Sequence, residues 1–394
     1  MSRQSVPNPG GDKVLSEEQI QIRELVRKVA SERVAPRAAE IDRSAEYPHD
    51  MFALLRDLGL FALPFPERYG GTGSTVAACI AIEELGRVCY NTAYLLLLQW
   101  VPFGAILAGG SEEQKERYLH RLSAGEIRGA ISTTESQSGS DIAGIKTKAV
   151  RVKDGYQITG SKIWCTNSNI ADFILVAAKT YDGNSEEGIN LFIVERDSPG
   201  LSVGKKEEKM GARGVPSCPL FLDEVFVPGC NLLGESNSGF KLVMETFNKS
   251  RPLIGARGVG LAQGAIDHAT DFIKNRVAFG KTVAAFQGIR WMVADMVMQT
   301  EAARNLVYRA AAMVDAGLKG PEFGAIAAMA KCFATDTAMR VATDAVQLYG
   351  AAGISDEYPI NRYFRDAKVL QIIEGTNQIQ RNIVANHILG RAAR

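Results

Sequence analysis

The hydrophobic pattern of this chain changes period twice, near residues 129 and 238, and those changes constrain its fold more than any other feature. Up to about residue 128 the pattern is helical. Ser16-Glu17-Glu18-Gln19 forms a capping box ahead of Ile22, Val26 and Val29 at helical spacing, and Ser111-Glu112-Glu113-Gln114 forms a second. Between them, Cys79 to Leu98 is apolar enough for one buried helix, interrupted only by Glu83, Glu84 and Arg87. Tyr69-Gly70-Gly71-Thr72-Gly73 is a loop. From residue 129 the apolar residues fall into short runs. Gly129–Thr134, Lys148–Lys153 with Tyr156–Thr159, Phe173–Lys179, Asn190–Glu195, Leu201–Val203 and Leu220–Val227 read as strands. Lys153-Asp154-Gly155 supplies a hairpin turn, and Pro228-Gly229 closes the segment. Beyond 238, Met244–Arg276, Gly288–Ala316 and Pro321–Tyr349 read as long amphipathic helices, the last with proline in its first turn, and a final helix starts near Thr376. An α+β fold follows: an N-terminal helical domain over 1–128, a small β domain over 129–237 and a C-terminal helical bundle over 238–394. No internal repeat is visible.

Bulk properties remove several function classes. The balance of 45 basic against 44 acidic side chains offers no field for nucleic acid or an anionic membrane. No apolar run reaches the length of a membrane span. Residues 1–10 lack the apolar core of a secretory signal and the repeated arginines of an organellar presequence, so a frayed, cytoplasmic start is expected, in a bacterial protein. The six cysteines are scattered without a CxxC pair, which predicts reduced, mostly buried thiols. The four histidines are isolated, and no metal site is expected.

Attractive signals for common chemistries fail on inspection. Phe279-Gly280-Lys281-Thr282 ends like a phosphate-binding loop, but Asn275 stands where the leading glycine is needed. Gly258-Val259-Gly260 continues to Gln263 inside a helical pattern, so it is no dinucleotide fingerprint. There is no GxSxG. What remains is distributed. Thr133-Thr134-Glu135-Ser136-Gln137-Ser138-Gly139-Ser140-Asp141 follows a strand and suits the presentation of hydroxyls and backbone N–H groups, or is an ordinary serine-rich loop. Trp164 and Thr166 share a strand face, where an aromatic plane beside a hydroxyl fits a flat ring system, or the tryptophan is simply core. Glu374 follows Ile372-Ile373 and precedes Gly375-Thr376, a helix start. Burial raises the pKa of such an acid while the helix N-terminus lowers it. Glu374 is therefore either a general base or a surface residue ahead of a cap.

In this order and spacing, these pieces resemble the acyl-CoA dehydrogenase family over nearly the whole chain. The resemblance rests on the Thr-Glu-x-x-x-Gly-Ser-Asp block, Trp164-x-Thr166-Asn167, Arg276-x-x-Phe279-Gly280-Lys281, Tyr349-Gly350-Ala351-Ala352-Gly353 and Glu374-Gly375-Thr376. It implies a β-barrel-like middle domain, a C-terminal four-helix bundle, and FAD held non-covalently in a homotetramer. By resemblance, Thr134 and Ser140 contact the cofactor or the CoA arm, and Trp164 and Thr166 flank the flavin ring. Arg276, Phe279 and Gln287, with Gln347, Gly350 and Ala351, hold FAD across a subunit boundary, and Thr376 and Gln378 add contacts. Ser140, Phe247, Asn248, Arg251 and Gly375 correspond to substrate-binding positions.

The implied reaction is α,β-dehydrogenation of an acyl-CoA to the trans-2-enoyl-CoA. Glu374 removes the α-proton, flavin accepts the β-hydride, and electrons pass to an electron-transfer flavoprotein. Some family members carry the base on the helix containing Phe247–Arg251. Ser250 stands at that position here and cannot serve, which leaves Glu374, with Arg251 orienting it. Asn248 replaces a common Asp, and Ser136 a common Pro. Ile373 stands where Tyr is frequent and leaves room for a substrate wider than a straight chain. The helix over Ala93–Leu98 floors the acyl pocket without an acidic or basic residue, which argues against a dicarboxylyl substrate. Two other functions share the fold, an acyl-CoA oxidase and a non-dehydrogenating flavoprotein. Oxidases usually carry an extra C-terminal domain, and a scaffold without activity would not need Glu374.

Overall fold

A computed structural model describes residues 15–390; the expected frayed start at residues 1–10 lies outside the described residues. The N-terminal helices are α1 (Glu17–Val29), α2 (Ala38–Ser44), α3 (His49–Asp57), α4 (Thr75–Gly86), α5 (Tyr90–Gly109) and α6 (Glu112–Ser123). Both capping boxes form. Ser16 and Ser111 each accept the backbone N–H of the glutamine three residues on, whose side chain accepts the N–H of the serine.

The single helix expected from Cys79 to Leu98 is two helices, α4 and α5. The chain turns extended at Cys89, and the Arg87 carbonyl accepts the Tyr363 hydroxyl at 2.6 Å, so the break is fixed from the far end of the sequence. The two acids that interrupt the apolar run are buried and paired. Glu83 takes Arg304 at 2.8 Å and Tyr308 at 2.9 Å, and Glu84 takes Arg27 at 2.6 Å. At 20 residues, α5 is long and apolar enough to cross a membrane by length and composition, contrary to the expectation that no run reaches that length; here it is a largely buried helix of the core.

Eight strands follow: β1 (Gly129–Ser132), β2 (Lys148–Val152), β3 (Gly155–Thr166), β4 (Phe173–Asp182), β5 (Ser185–Glu195), β6 (Leu201–Val203), β7 (Ser217–Pro228) and β8 (Leu232–Leu233). They form one mixed sheet in the order β6-β7-β3-β2-β4-β5-β8, with β1 parallel to β4. Strand β4 is buried on both faces. Phe173, Leu175 and Ala177 join the helical core, while the alternating Ile174, Val176 and Ala178 join a second core with Tyr156, Ile158, Phe192 and Leu220. The sheet is thus anchored to the helices on one side and closed over its own apolar interior on the other.

The C-terminal part is built on α7 (Gly239–Asn275). A two-stranded hairpin of β9 (Val277–Ala278) and β10 (Lys281–Thr282) leads to α8 (Gln287–Asp315), and α9 (Pro321–Tyr349), α10 (Ile360–Ile372) and α11 (Asn377–Leu389) complete it. The three long helices lie where their periodicity places them, with Pro321 in the first turn of α9. Helix α10 is not among the sequence expectations; its apolar positions, Ile360, Tyr363, Ala367 and Leu370, are too sparse to stand out without the core they join. Helices α4 and α7 cross closely because Gly260 has no side chain: a Cβ there would lie 2.2 Å from the Glu83 carbonyl oxygen.

Candidate active site

Two helix ends create the candidate base. Helix α10 stops at Ile372, and α11 begins at Asn377 with Thr376 as its cap, the Thr376 Oγ1 accepting the Ile379 N–H at 3.3 Å. Glu374 and Gly375 bridge the ends with φ of 50° and 87°. Holding a glutamate in the left-handed region costs on the order of 1–3 kcal/mol, so the surroundings must impose it. They do: the Gly375 carbonyl accepts Lys331 Nζ at 3.0 Å and Gln380 Nε2 at 2.9 Å.

The turn aims the carboxylate at α7, where Ser250 Oγ donates to Glu374 Oε2 at 2.6 Å. The serine that disqualifies that position as a base therefore bonds to the candidate base on the other segment. Part of Glu374 remains accessible, but its carboxylate is enclosed enough that burial raises its pKa. The Ser250 hydrogen bond and the cations Arg257, Lys331 and Arg251 oppose that rise without cancelling it. Arg251 is buried and bonded through Nη1 to Asn248 Oδ1; burial lowers its pKa to about 10, so it stays charged at neutral pH. Phe247, whose carbonyl oxygen lies 3.1 Å from Ser250 Oγ, completes this face of α7.

The wall opposite comes from α5. Tyr90 and Tyr94 are buried, with the Arg257 guanidinium 4.5 Å from the first ring and 3.8 Å from the second. None of the three Arg257 nitrogens has a hydrogen-bond partner. The residues Ala93–Leu98 are uncharged, but a cation from α7 stands behind the wall they form. Arg257 and Lys331 were missed by sequence reasoning. Their signal is a lone basic residue in an otherwise apolar helical run, Leu253–Leu261 for one and Ala325–Ala334 for the other.

The Thr-Glu block and the Trp-Thr strand meet at one end of the sheet, where the Ile163 N–H donates to the Thr134 carbonyl at 2.9 Å. A β-bulge between Lys162 and Cys165 sets Trp164 at φ 58° and turns its ring outward, 53% exposed, so this is not a core tryptophan. Thr166 is half-buried beside Tyr94, which links the bulge to the Glu374 pocket. Glu135 holds the loop. It is buried and accepts Lys162 Nζ at 2.7 Å, Thr147 Oγ1 and the Lys146 N–H both at 2.6 Å, and the Thr147 N–H at 3.0 Å. Ser140 lies exposed at the loop's tip. Ser132 Oγ and Asn167 Oδ1, flanking the bulge, are buried without a partner. An open aromatic plane, a hydroxyl and orphaned polar atoms fit a flat, polar ring system such as a flavin.

Other expected residues lie elsewhere in the chain. Arg276 caps the far end of α7, 26 residues beyond Ser250 and roughly 40 Å along a helix at about 1.5 Å per residue. Phe279, 94% exposed, and Gln287 follow it. Gln347, Gly350 and Ala351 end α9 at this same pole, where Tyr349 stacks on Phe272 with centroids 4.1 Å apart. Thr376 and exposed Gln378 remain with Glu374. One chain therefore holds two separated groups of expected cofactor residues.

Comparison with known proteins agrees with this fold. Models of the acyl-CoA dehydrogenase N-terminal, middle and C-terminal domains match residues 16–126, 130–225 and 237–389. Cyclohexane-1-carbonyl-CoA dehydrogenase of Geobacter metallireducens is 43% identical over 380 residues, covering 96% of this chain and 99% of that protein. The butyryl-CoA dehydrogenase structure from Megasphaera elsdenii superposes with a TM-score of 0.92 at 38% identity, covering 96% of this chain and all of that one. A chain from a study of the electron transferring flavoprotein of Acidaminococcus fermentans gives the same TM-score, identity and coverage. The chain belongs to the acyl-CoA dehydrogenase family, FAD-dependent oxidoreductases that act on acyl-CoA thioesters.

Proposed function

We propose that Glu374 is the general base of an α,β-dehydrogenation, taking the α-proton of an acyl-CoA whose product is the trans-2-enoyl-CoA. The observation that carries this is the setting of its carboxylate: enclosed, raised in pKa, bonded to Ser250 and held on a strained turn clamped from α9 and α11. A carboxyl raised above its ordinary value binds a proton more strongly, which is what a general base needs. Among the described residues no acceptor takes the Glu374 backbone N–H, which leaves it available to the thioester carbonyl oxygen, where negative charge develops as the α-proton leaves. FAD, when bound, supplies the two-electron acceptor for the β-hydride. Thr134, Trp164 and Thr166 are the residues suited to hold its ring, with Ser140 toward the cofactor or the CoA arm.

The separation of Arg276, Phe279, Gln287, Gln347, Gly350 and Ala351 from Glu374 supports a homotetramer in which one subunit completes the cofactor site of another. Exposed Phe279, Trp291, Met298 and Ile354 on these segments favour a covering partner. An electron-transfer flavoprotein is the proposed acceptor, supported by the likeness to the Acidaminococcus fermentans chain. For the acyl group we favour a neutral branched or alicyclic one, on Ile373 beside the base and on the Geobacter metallireducens relative.

The test is anaerobic bleaching of the flavin by short, medium, branched and alicyclic acyl-CoAs, comparing the wild type with Glu374→Gln. The wild type is expected to bleach with at least one substrate. The variant should keep its FAD and lose about 10²–10⁴-fold in rate, the span of a positioned general base. Bleaching of Glu374→Gln at the wild-type rate would remove Glu374 from the chemistry.

A further inference from the structure

Lys331 lies in the middle of α9, among Ala327, Ala328, Ala330 and Ala334, and like them it has no solvent contact. Enclosing an ammonium in such surroundings is unfavourable unless a partner compensates. Among the described residues no carboxylate makes an ion pair with it. Its Nζ instead donates to the Gly375 carbonyl at 3.0 Å and to Asn377 Oδ1 at 2.8 Å. Asn377 is fixed in turn, its Nδ2 donating to Asp336 Oδ1 at 2.7 Å and to Thr335 Oγ1 at 2.9 Å. Both fixed partners of this buried cation thus belong to the segment that carries the candidate base.

The charges around the two groups are few. Facing Glu374 are Arg251 and Arg257 from α7 and Lys331 from α9, with Ser250 as hydrogen-bond donor; Tyr90 and Tyr94 of α5 face it as neutral phenols, raised by burial. Facing Lys331 are Glu374, Cys332, Asp336 and Arg251. Burial brings the Lys331 ammonium down to about 8, and Glu374 is the strongest of the charges that hold it up.

We propose that Lys331 is a positioning residue for the dehydrogenation: it clamps the Gly375 carbonyl that shapes the Glu374 turn and supplies a buried positive charge against which the Glu374 carboxylate is held. This rests on Glu374 being the base. The clamp and the charge are separable, because a glutamine at 331 keeps a donor without the charge, whereas a methionine keeps neither.

The experiment measures the rate of flavin bleaching by acyl-CoA against pH in the wild type, Lys331→Gln and Lys331→Met, with FAD content and melting temperature recorded for each. Losing a nearby opposite charge raises a carboxylate pKa by about one unit or more. The fall in rate on the acid side should therefore move up by about one pH unit in both variants, a roughly tenfold loss below that point. The plateau rate should drop further in Lys331→Met than in Lys331→Gln. A lysine with only a structural role changes the melting temperature and leaves the acid side in place. Wild-type bleaching whose acid side neither variant moves overturns the role of Lys331 alone. A wild type bleached by no acyl-CoA overturns the base assignment and this proposal with it.

Discussion

Replacing Glu135 by glutamine tests how the proposed cofactor loop is held. Glu135 and Lys162 are 5% and 0% exposed, and their ion pair spans 2.7 Å. Burial by itself would push the Glu135 carboxyl up, but the hydrogen bonds from Lys162, Thr147 and the Lys146 N–H win and hold it at about 2. The fall from 4.5 corresponds to about 3 kcal/mol at about 1.4 kcal/mol per unit. A second route gives a similar figure, since removing one member of a buried pair strands the other at about 3–5 kcal/mol. In Glu135→Gln an amide NH2 also replaces one acceptor oxygen in a ring of donors. Glu135→Gln should therefore lose about 3 kcal/mol in urea unfolding and release FAD more readily, because the Thr134–Ser140 loop loses its anchor. The double variant Glu135→Gln/Lys162→Met, which buries neither charge and keeps an acceptor oxygen for Thr147 and the loop N–H groups, should recover part of the loss. The sign with pH is fixed: a carboxyl lowered in the folded state contributes fully above its unfolded value near 4.5 and loses that contribution as pH falls toward 2. A loss under about 1 kcal/mol at neutral pH, or a double variant no better than Glu135→Gln, would refute this account.

Two further substitutions address the proposed base directly. Ser250→Ala removes the hydrogen bond that holds the Glu374 pKa down, so the acid side of the bleaching profile should rise by about one pH unit with FAD content unchanged; an unmoved profile would mean the 2.6 Å contact is not made in solution. Gly375→Ala forces a side chain into φ 87° with its Cβ 2.8 Å from Gln380 Nε2, so either the turn shifts or the Gln380 amide moves off the Gly375 carbonyl that it clamps. Turnover should fall at least tenfold while the melting temperature drops by only a few degrees, and wild-type turnover in this variant would show that the turn tolerates displacement.

The parts of the fold legible in the sequence are those specified locally. Strand β4 could be read from its apolar run, α1 and α6 from their capping boxes, and α9 from its periodicity and its proline. The parts that were not legible depend on partners distant in sequence. Cys79–Leu98 carries only Gly86 as a helix-weakening residue, and the break after it is held by Tyr363, 276 residues on from Arg87. The alternation through Trp164 suggests a regular strand, but β7 pairs with it in a shifted register, and only the resulting bulge turns the ring outward. Lys331 and Arg257 read as isolated charges until α9 and α7 are placed against the Glu374 turn.

The same distinction decides between the two opposing influences on Glu374. Sequence spacing places it at a helix start, where aligned N–H groups stabilise a carboxylate, and after an apolar pair, where burial destabilises one. Helix α11 spends its capping interaction on Thr376, which takes the Ile379 N–H, and the Glu374 carboxylate points instead to α7 and the Ser250 hydroxyl. The helix start therefore shapes the turn without supplying the carboxylate's hydrogen-bond donor. Stabilisation comes from one hydroxyl and three buried cations, and it falls short of the cost of burial, so the pKa stays raised. An acid directly capped by α11 would be a weaker base. By handing the cap to Thr376, the chain leaves Glu374 a stronger one.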